Sequence, residues 1–399
     1  MKYDIIIVGA GPAGLSFACS LKNTGLSLLL IEKSSVESLQ DPLPDGREIA
    51  LTHLSKQILK DLQVWPHIPA EEVSPIKQAK VINGNSNYPL CFDRDQEDID
   101  ALAYLVPNHL IRRSLFQTLQ HHENVEIKTN LSVVKISTHS TGGSVGLSNG
   151  DSVEASLIVA ADSRFSSTRR MIGIPSSSHD FSRVAIVCRM EHEKSNEGTA
   201  VECFNYGRTL AILPMNGNIS SIVITAKTDL ATQLLALNET SFNSDVKQHL
   251  NDRLGEMKLI GERFSYPLVA VHAKRFVNNR FALIGDAAVG MHPVTAHGFN
   301  LGLRGQNTLS QEIKSALKDG RDIGSQNVLL KYQSTHMKAT RPLYYGTNGL
   351  VNLYTNETLP AKAARAISLR LANTLSPIKR IITNKLTEVE KKQRGSLLF

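Results

Sequence analysis

The sequence has little of what covalent or metal chemistry is usually built from. Its four cysteines stand apart at positions 19, 91, 188 and 203 with no Cys-x-x-Cys spacing. That excludes a disulfide framework or a zinc ribbon and points to buried or half-buried thiols in a reducing compartment. The 13 histidines show no zinc-type clustering. His121 and His122 are adjacent, and adjacent side chains diverge on a helix or strand, so they read as a surface pair. No apolar run reaches the length that spans a bilayer. The short apolar run in "MKYDIIIVGAG" leads straight into glycines. It reads as a buried strand, not a signal peptide, and a cytoplasmic location is expected. A formal charge of +7 on 399 residues is moderate and does not imply nucleic acid.

What is present starts with a strand–turn–helix–strand unit. "DIIIVGAG" is a buried β run, "PAGLSFACSLKNTG" has helical spacing with Gly25 as C-cap, and "LSLLLIEK" is a second β run ending at Glu32. Gly9-Ala10-Gly11-Pro12-Ala13-Gly14 lies between strand and helix, the context that a dinucleotide fingerprint requires. Gly9 permits the tight turn, Gly11 lets the backbone approach a pyrophosphate, and Gly14 lets helix and strand pack closely. The helix N-terminus offers N–H groups and partial positive charge to the phosphates. Glu32, followed by Lys33, is placed to accept hydrogen bonds from a ribose. An acid there disfavours a 2′-phosphate, so the ligand is FAD or NAD, not NADP.

Two more carboxylates stand at strand ends: Asp162 in "LIVAADSRFSSTRR" and Asp286 in "RFALIGDAA". Ligands of such folds bind at the carboxyl ends of strands, and an extended FAD reaches several of them better than a short nucleotide does. Arg47 in "DGREIAL" and Arg112 in "NHLIRRSLF" are the candidate cations for a phosphate or flavin edge. "GDAAVGMHPVTAHGFNLGL" (285–303) carries Asp286, His292, Pro293, His297, Gly298, Phe299 and Asn300 with no cysteine pair, serine elbow or metal spacing.

Elsewhere, residues 50–62 and "NHLIRRSLFQTLQHH" have helical period, and 125–160 reads as strands joined by Gly/Asn turns, with "STGGSVG" as a hairpin turn. Residues 176–266 are strand-rich with a helical interruption near 241–254, and a long helix starts near 298. From Ala361 on there are nine Lys/Arg against two Glu, interleaved with apolar residues, and the chain ends "SLLF". A basic amphipathic helix of this kind lies on an anionic membrane or packs as a solvated terminal helix.

These motifs, "GAGPAGLSFA", "REIALTHLSKQIL", "WPHI…SPI", "AADSRFSSTRR" and "GDAAVGMHPVTAHGFNLGL", resemble single-component flavin monooxygenases of the aromatic-hydroxylase type. More closely they are similar to the ubiquinone-biosynthesis hydroxylases, with the demethoxyubiquinol hydroxylase branch favoured. The resemblance implies an α/β fold. It has a Rossmann-like FAD-binding domain of the glutathione-reductase and aromatic-hydroxylase type, an inserted mixed β-sheet substrate domain and a helical C-terminus. The expected FAD-binding domain is discontinuous, 1–72, 100–175 and 265–340. The substrate domain is 73–99 and 176–264, and the C-terminal helical region is 341–399.

It further implies that Asp286 holds the ribityl chain and that Asp162 serves both FAD and NAD(P)H, although Ser163 stands where the family has glycine. His292, Pro293, His297 and the turn at Gly298 would lie beside the flavin ring. The implied reaction uses NADH or NADPH and O₂ to hydroxylate the ring of a polyprenylated phenol or quinol through a flavin C4a-hydroperoxide. A place in a ubiquinone-biosynthesis protein complex and a peripheral position on the inner face of the membrane follow from the same resemblance. Alternatives on the same fold are a flavin-dependent prenyl reductase, a halogenase or another aromatic-compound hydroxylase. The first two carry tryptophan signatures in the substrate domain, and the only tryptophan here is Trp65. A non-catalytic prenyl-binding protein ranks last, because the glycines, Glu32 and Asp286 are kept.

Overall fold

In the computed structural model, residues 2–84, 89–96, 99–120, 122–205, 207–356, 358–374 and 376–389 are described. His121, Glu390, Lys391, Lys392, Arg394 and the terminal "SLLF" lie outside them.

A parallel sheet forms the base of the cofactor-binding part. Its order is Phe281–Leu283, Ser152–Ala160, Lys2–Val8, Leu28–Ile31, Val125–Lys128. Ile5, Ile6, Ile7 and Leu28 to Ile31 are all buried, as strands covered on both faces must be. Burying each such side chain stabilises the fold by roughly 1.5–3 kcal/mol relative to leaving it exposed. The helix Pro12–Leu21 packs on this sheet, and the long helix His297–Lys318 packs on that helix. Ser20 Oγ donates to Gln306 Oε1 across the helix pair at 2.7 Å.

The expected helix at 50–62 is His53–Asp61, capped by Thr52, whose hydroxyl accepts from Ser55 N. The interruption near 241–254 is two helices, Thr228–Ala236 and Glu239–His249. Gly25 adopts φ +78° but sits beyond the helix end at Leu21, in the turn before the next strand. Three of the four thiols are buried and Cys91 is half-buried, and all are free.

A second, mixed sheet has the order Val289–Gly290, Met257–Ala273, Ser176–His192, Ile219–Lys227, Arg208–Pro214, Thr199–Asn205, Gln78–Asn83, Leu90–Asp93. Its Met257–Ala273 strand runs unbroken across position 265, and Ser74–Ile76 pairs instead in a small sheet with Glu48–Leu51 and Ala103–Pro107. Alternation divides the two faces of the mixed sheet. Ile186, Cys188, Val201, Cys203, Leu210, Ile212, Ile222 and Ile224 pack with Phe242 and Val246 of the two helices. The other face meets the cofactor-binding part. There Tyr266 Oη donates to the Asp45 carbonyl at 2.6 Å, and Arg189 pairs with the buried carboxylate of Glu48 at 2.7 Å. Helices Gln326–Thr355, Leu359–Thr374 and Ser376–Thr387 complete the chain's described C-terminal part.

Candidate functional site

The glycine turn has the geometry its spacing predicts. Gly9 sits at φ +102°, and a Cβ there would lie 2.7 Å from the Ala161 carbonyl oxygen. A Cβ on Gly14 would be driven into the Gly9 carbonyl oxygen. Gly11, by contrast, faces open space. The helix beginning at Pro12 has no side-chain cap and no acid in its first turn, so its N–H groups stay free for an anion. Glu32 is spent partly on shaping this turn: one oxygen accepts from Ala10 N at 2.7 Å, the other from Ser34 N at 2.9 Å. Lys33 beside it is exposed.

The two predicted arginines differ in their surroundings. Arg47 is exposed, pairs with Asp45 at 2.5 Å and lies over the Tyr266 ring. Asp286 is also close enough to act on its charge. Arg112 is half-buried on the helix Asn108–Leu119 and has no hydrogen-bond partner among the described residues. Burial lowers its pKa, with Asp45 and Glu32 opposing and Arg47 reinforcing the shift.

Asp286 follows Gly285, whose φ is +59° and whose Cβ, if present, would lie 2.6 Å from the Ala13 side chain. That close approach ties the strand end to the fingerprint helix. Arg164 holds Asp286 at 3.1 Å and also donates to the Val269 carbonyl at 3.0 Å. Asp162 anchors its own loop: it accepts from Ser166 Oγ at 2.6 Å, Thr168 Oγ1 at 2.9 Å and Thr168 N at 3.1 Å. Ser163, in place of the family's glycine, keeps a left-handed φ of +91°. A side chain there costs backbone energy that glycine would not. Ser163→Gly is therefore expected to raise stability by about 0.5–1 kcal/mol, read as a higher denaturation midpoint at unchanged m-value.

The stretch 285–303 turns sharply. His292 caps the turn Pro293–Thr295, its Nδ1 accepting from Val294 N at 3.1 Å. That places the neutral ring's proton on Nε2, which is buried and unpartnered. Burial, then Arg183 and Arg164, push its pKa down to about 4, so the ring stays neutral near neutral pH. Pro293 is exposed and Phe299 half-buried against the core. Ala296, at φ +53°, reverses the chain into the helix that opens at His297. Gly298 faces open space, and this N-terminus too lacks a side-chain cap and any acid. Asn300 braces the turn: it donates to the Ala50 and Ala296 carbonyls and accepts from Thr52 N at 3.2 Å. His297 is buried, 3.3 Å from the Lys385 carbonyl oxygen of the last helix. Glu388 closes the same corner, accepting from Thr52 Oγ1 at 2.8 Å and facing Arg304 at 3.4 Å.

The structure thus links Glu32 to the Gly9–Gly14 turn, Gly285 to Ala13, Arg47 to Asp286 and Arg112, Arg164 to both Asp286 and His292, and Asn300 to Thr52. These residues fit an FAD. Glycines leave room at the turn, and the helix N-termini at Pro12 and His297 are both free of side-chain caps and acids. Sequence reasoning missed Arg164, Thr52, Glu388 and the Arg189–Glu48 pair. Each acts on a partner more than a hundred positions away, with no local pattern to mark it.

Fold and site together define an FAD-dependent monooxygenase of the single-chain aromatic-hydroxylase class. The FAD binding domain family model matches residues 2–341, and the chain belongs to that family. Over 388 residues it is 48% identical to the ubiquinone hydroxylase UbiM of Neisseria meningitidis serogroup C, covering 96% of this chain and 84% of that one. Over 379 residues it is 34% identical to the ubiquinone hydroxylase UbiL of Rhodospirillum rubrum, covering 95% and 88%. The chain is thus a member of the ubiquinone-biosynthesis hydroxylases. The 3-demethoxyubiquinol 3-hydroxylase of Escherichia coli K12 is more distant, at 26% identity over 378 residues, 94% of this chain and 96% of that one. The branch favoured from sequence is thus not the nearer one. Among solved structures, p-nitrophenol 4-monooxygenase PnpA from Pseudomonas putida DLL-E4 shares the fold. Its TM-score is 0.77 at 18% identity, over 97% of this chain and 98% of that one.

Proposed function

We propose that this protein uses NADH or NADPH and O₂ to hydroxylate the ring of a polyprenylated phenol or quinol on the way to ubiquinone. The observation that carries it is the 48% identity to a ubiquinone hydroxylase over nearly the whole chain, joined to an intact FAD cradle. FAD supplies the redox and oxygen chemistry, and the protein binds, orients and excludes water. Gly11 and the Pro12–Leu21 N-terminus receive the diphosphate, with Pro12 and Ala13 forming the first turn. Glu32 keeps lone pairs for the ribose, and Lys33 and Arg112 add charge at that end. Arg47 stands at the flavin edge. Asp286, held by Arg164, takes the ribityl hydroxyls. Asp162 holds the loop that presents Arg164 and Ser163 to the reductant side. His292 and Pro293 would wall the ring, and the helix opening at His297 would offer N–H groups of Gly298, Phe299 and Asn300 to the ring edge that gains negative charge.

The test is turnover of the FAD-loaded protein with NADH or NADPH against prenylated quinol precursors differing in one ring position. Consumption of reductant with one ring hydroxyl gained supports the reading. Consumption with hydrogen peroxide as sole product on every precursor overturns it.

The membrane position belongs to the same proposal. Among the described residues no helix is long and apolar enough to cross a bilayer. Exposed Tyr345, Leu350, Ile367 and Ile381 accompany the exposed Arg380 on the C-terminal helices, a composition suited to an anionic lipid surface. Arg365, counted with the basic residues in sequence, is instead buried and donates to the Tyr354 carbonyl at 2.7 Å. Ile381→Glu with Arg380→Glu is expected to cut co-sedimentation with phosphatidylglycerol vesicles at least about tenfold, at roughly 1 kcal/mol per basic residue plus the lost apolar burial. Equal sedimentation of variant and parent would remove this part of the proposal. A place in a multiprotein assembly is read the same way, by co-migration from the host membrane fraction.

A further inference from the structure

One acid stands on the mixed sheet where apolar residues surround it. Register pairs align Val81, Glu202, Ala211, Val223, Val187 and Phe264 in a single row across six strands. Paired residues share a face, so the whole row points the same way. The direction is fixed at the Phe264 end, whose ring lies under Gly46 of the cofactor-binding part. It is fixed again by the neighbours of Glu202 on its own strand. Val201 and Cys203 face the two helices behind the sheet. Ala200 and Phe204 belong to a cluster with Val81, Leu213, Ala50, Val294, Tyr354, Leu353, Ile382 and Leu386. Val294 is the residue whose N–H the cap His292 holds, and Ala50 is the carbonyl that Asn300 holds. Glu202 therefore projects from the sheet toward the side where the flavin-ring turn and the C-terminal helices meet.

Within that row Glu202 is the only ionisable side chain. It has no hydrogen-bond or ion-pair partner among the described residues. The flanking strands present Ala79, Val81 and Asn83 on one side and Thr209, Ala211 and Leu213 on the other. Cys203 lies on the opposite face. From the helices above, Tyr354 rests on Phe204 with ring centroids 4.0 Å apart, and Arg365 is turned to the Tyr354 carbonyl. Two further polar atoms on this face, Asn83 Oδ1 and Ser221 Oγ, are buried without partners. Buried polar groups are normally satisfied, so a face that carries two unsatisfied ones and the half-buried, unpaired Glu202 beside small residues is suited to a ligand with an apolar body and a few polar points. Desolvation alone raises the Glu202 carboxyl to about 8, so near neutral pH it is mostly protonated and gives up its proton readily just above.

We infer that Glu202 is the catalytic residue that receives the ring hydroxyl of the substrate, hydrogen-bonding it and taking its proton as the ring is oxygenated. This rests on the proposed phenol or quinol substrate. The O–H bond of the ring hydroxyl breaks, its electron pair stays on the ring oxygen, and the proton moves to a Glu202 carboxylate oxygen. No electrons leave the ring in this step. The electron-rich oxygen activates the ring carbon beside or opposite it for attack by an electrophile.

The test uses FAD-loaded Glu202→Gln, which keeps size and hydrogen bonding but cannot take a proton, with Glu202→Asp as the conservative variant. With the precursor that the unaltered enzyme hydroxylates, Gln is expected to lower kcat about 100-fold or more while KM shifts less than about fivefold. The rise of rate with pH through about 8 is expected in the unaltered enzyme and absent in the Gln variant, and Asp recovers part of both. Hydrogen peroxide formed per reductant consumed rises in the Gln variant. FAD content and melting temperature near pH 7 stay at the parent's level, because no partner is lost. A Gln variant with the parent's kcat and pH profile overturns the inference. So does a variant whose loss of rate comes with loss of FAD or of folded protein, since the residue would then be structural. If the unaltered enzyme hydroxylates no prenylated precursor, it is the substrate reading that fails.

Discussion

Gly14→Ala is expected to yield a protein that holds no FAD and is destabilised by about 3 kcal/mol or more. The alanine methyl would be driven into the Gly9 carbonyl oxygen, and both partners are backbone. A flexible side chain could swing aside, but here the helix Pro12–Leu21 must move off the strand Lys2–Val8. Overpacking usually costs 1–3 kcal/mol when side chains can adjust, so a backbone collision belongs at or above the top of that range. Gly11→Ala is the matched control. Its added methyl meets nothing in the protein, so apoprotein stability should change by less than about 1 kcal/mol. FAD affinity should still fall, because the methyl occupies space through which the diphosphate approaches the backbone. Melting temperature and bound flavin per chain, measured on both variants, separate the two effects. A Gly14 variant that keeps its flavin and its melting temperature would contradict the packing described here.

Asp286→Ala is expected to weaken FAD binding about 10–100-fold without unfolding the protein. Hydrogen bonds to a charged group contribute about 1.5–3 kcal/mol, and each 1.4 kcal/mol is a factor of ten. Asp286 is partly exposed and its pair with Arg164 is also partly exposed, so removing it costs the fold little by itself. Arg164 keeps its bond to the Val269 carbonyl. Arg164→Ala should then give a smaller loss of the same kind, since it orients the carboxylate without touching the cofactor. Fluorescence titration of the apoprotein with FAD checks both. Equal affinity in Asp286→Ala and the parent would remove Asp286 from the ribityl site.

The parts of this molecule legible in sequence are those whose signals are local. A buried β run, a glycine turn, a helix and an acid within about thirty residues carry their own context, and the glycine turn has the expected geometry. The stretch 285–303 was legible for a similar reason: its Gly, Pro and Asn residues mark where the chain must turn. Other features depend on register. Glu202 looks like an ordinary strand residue in "TAVECFN", and only the pairing of six strands shows that its neighbours are Val81 and Ala211. A one-residue slip would put it on the helix-packed face. Asp162 stood out as a strand-end acid, yet its bonds run to Ser166 and Thr168 within its own loop. The C-terminal basic residues read as one amphipathic set, but Arg365 is buried and Glu388 reaches Thr52, itself bonded to Asn300. Composition describes a helix's faces and cannot say what the helix packs on.

In the proposed reaction an oxygen atom passes from O₂ to a quinol ring. The direct test is a single turnover of the FAD-loaded enzyme, reduced by NADH or NADPH, with isotopically heavy O₂ in ordinary water. The predicted result is a prenylated product whose new ring hydroxyl carries the heavy isotope. A product without the label, or reductant consumed to hydrogen peroxide with every ring unchanged, would contradict it.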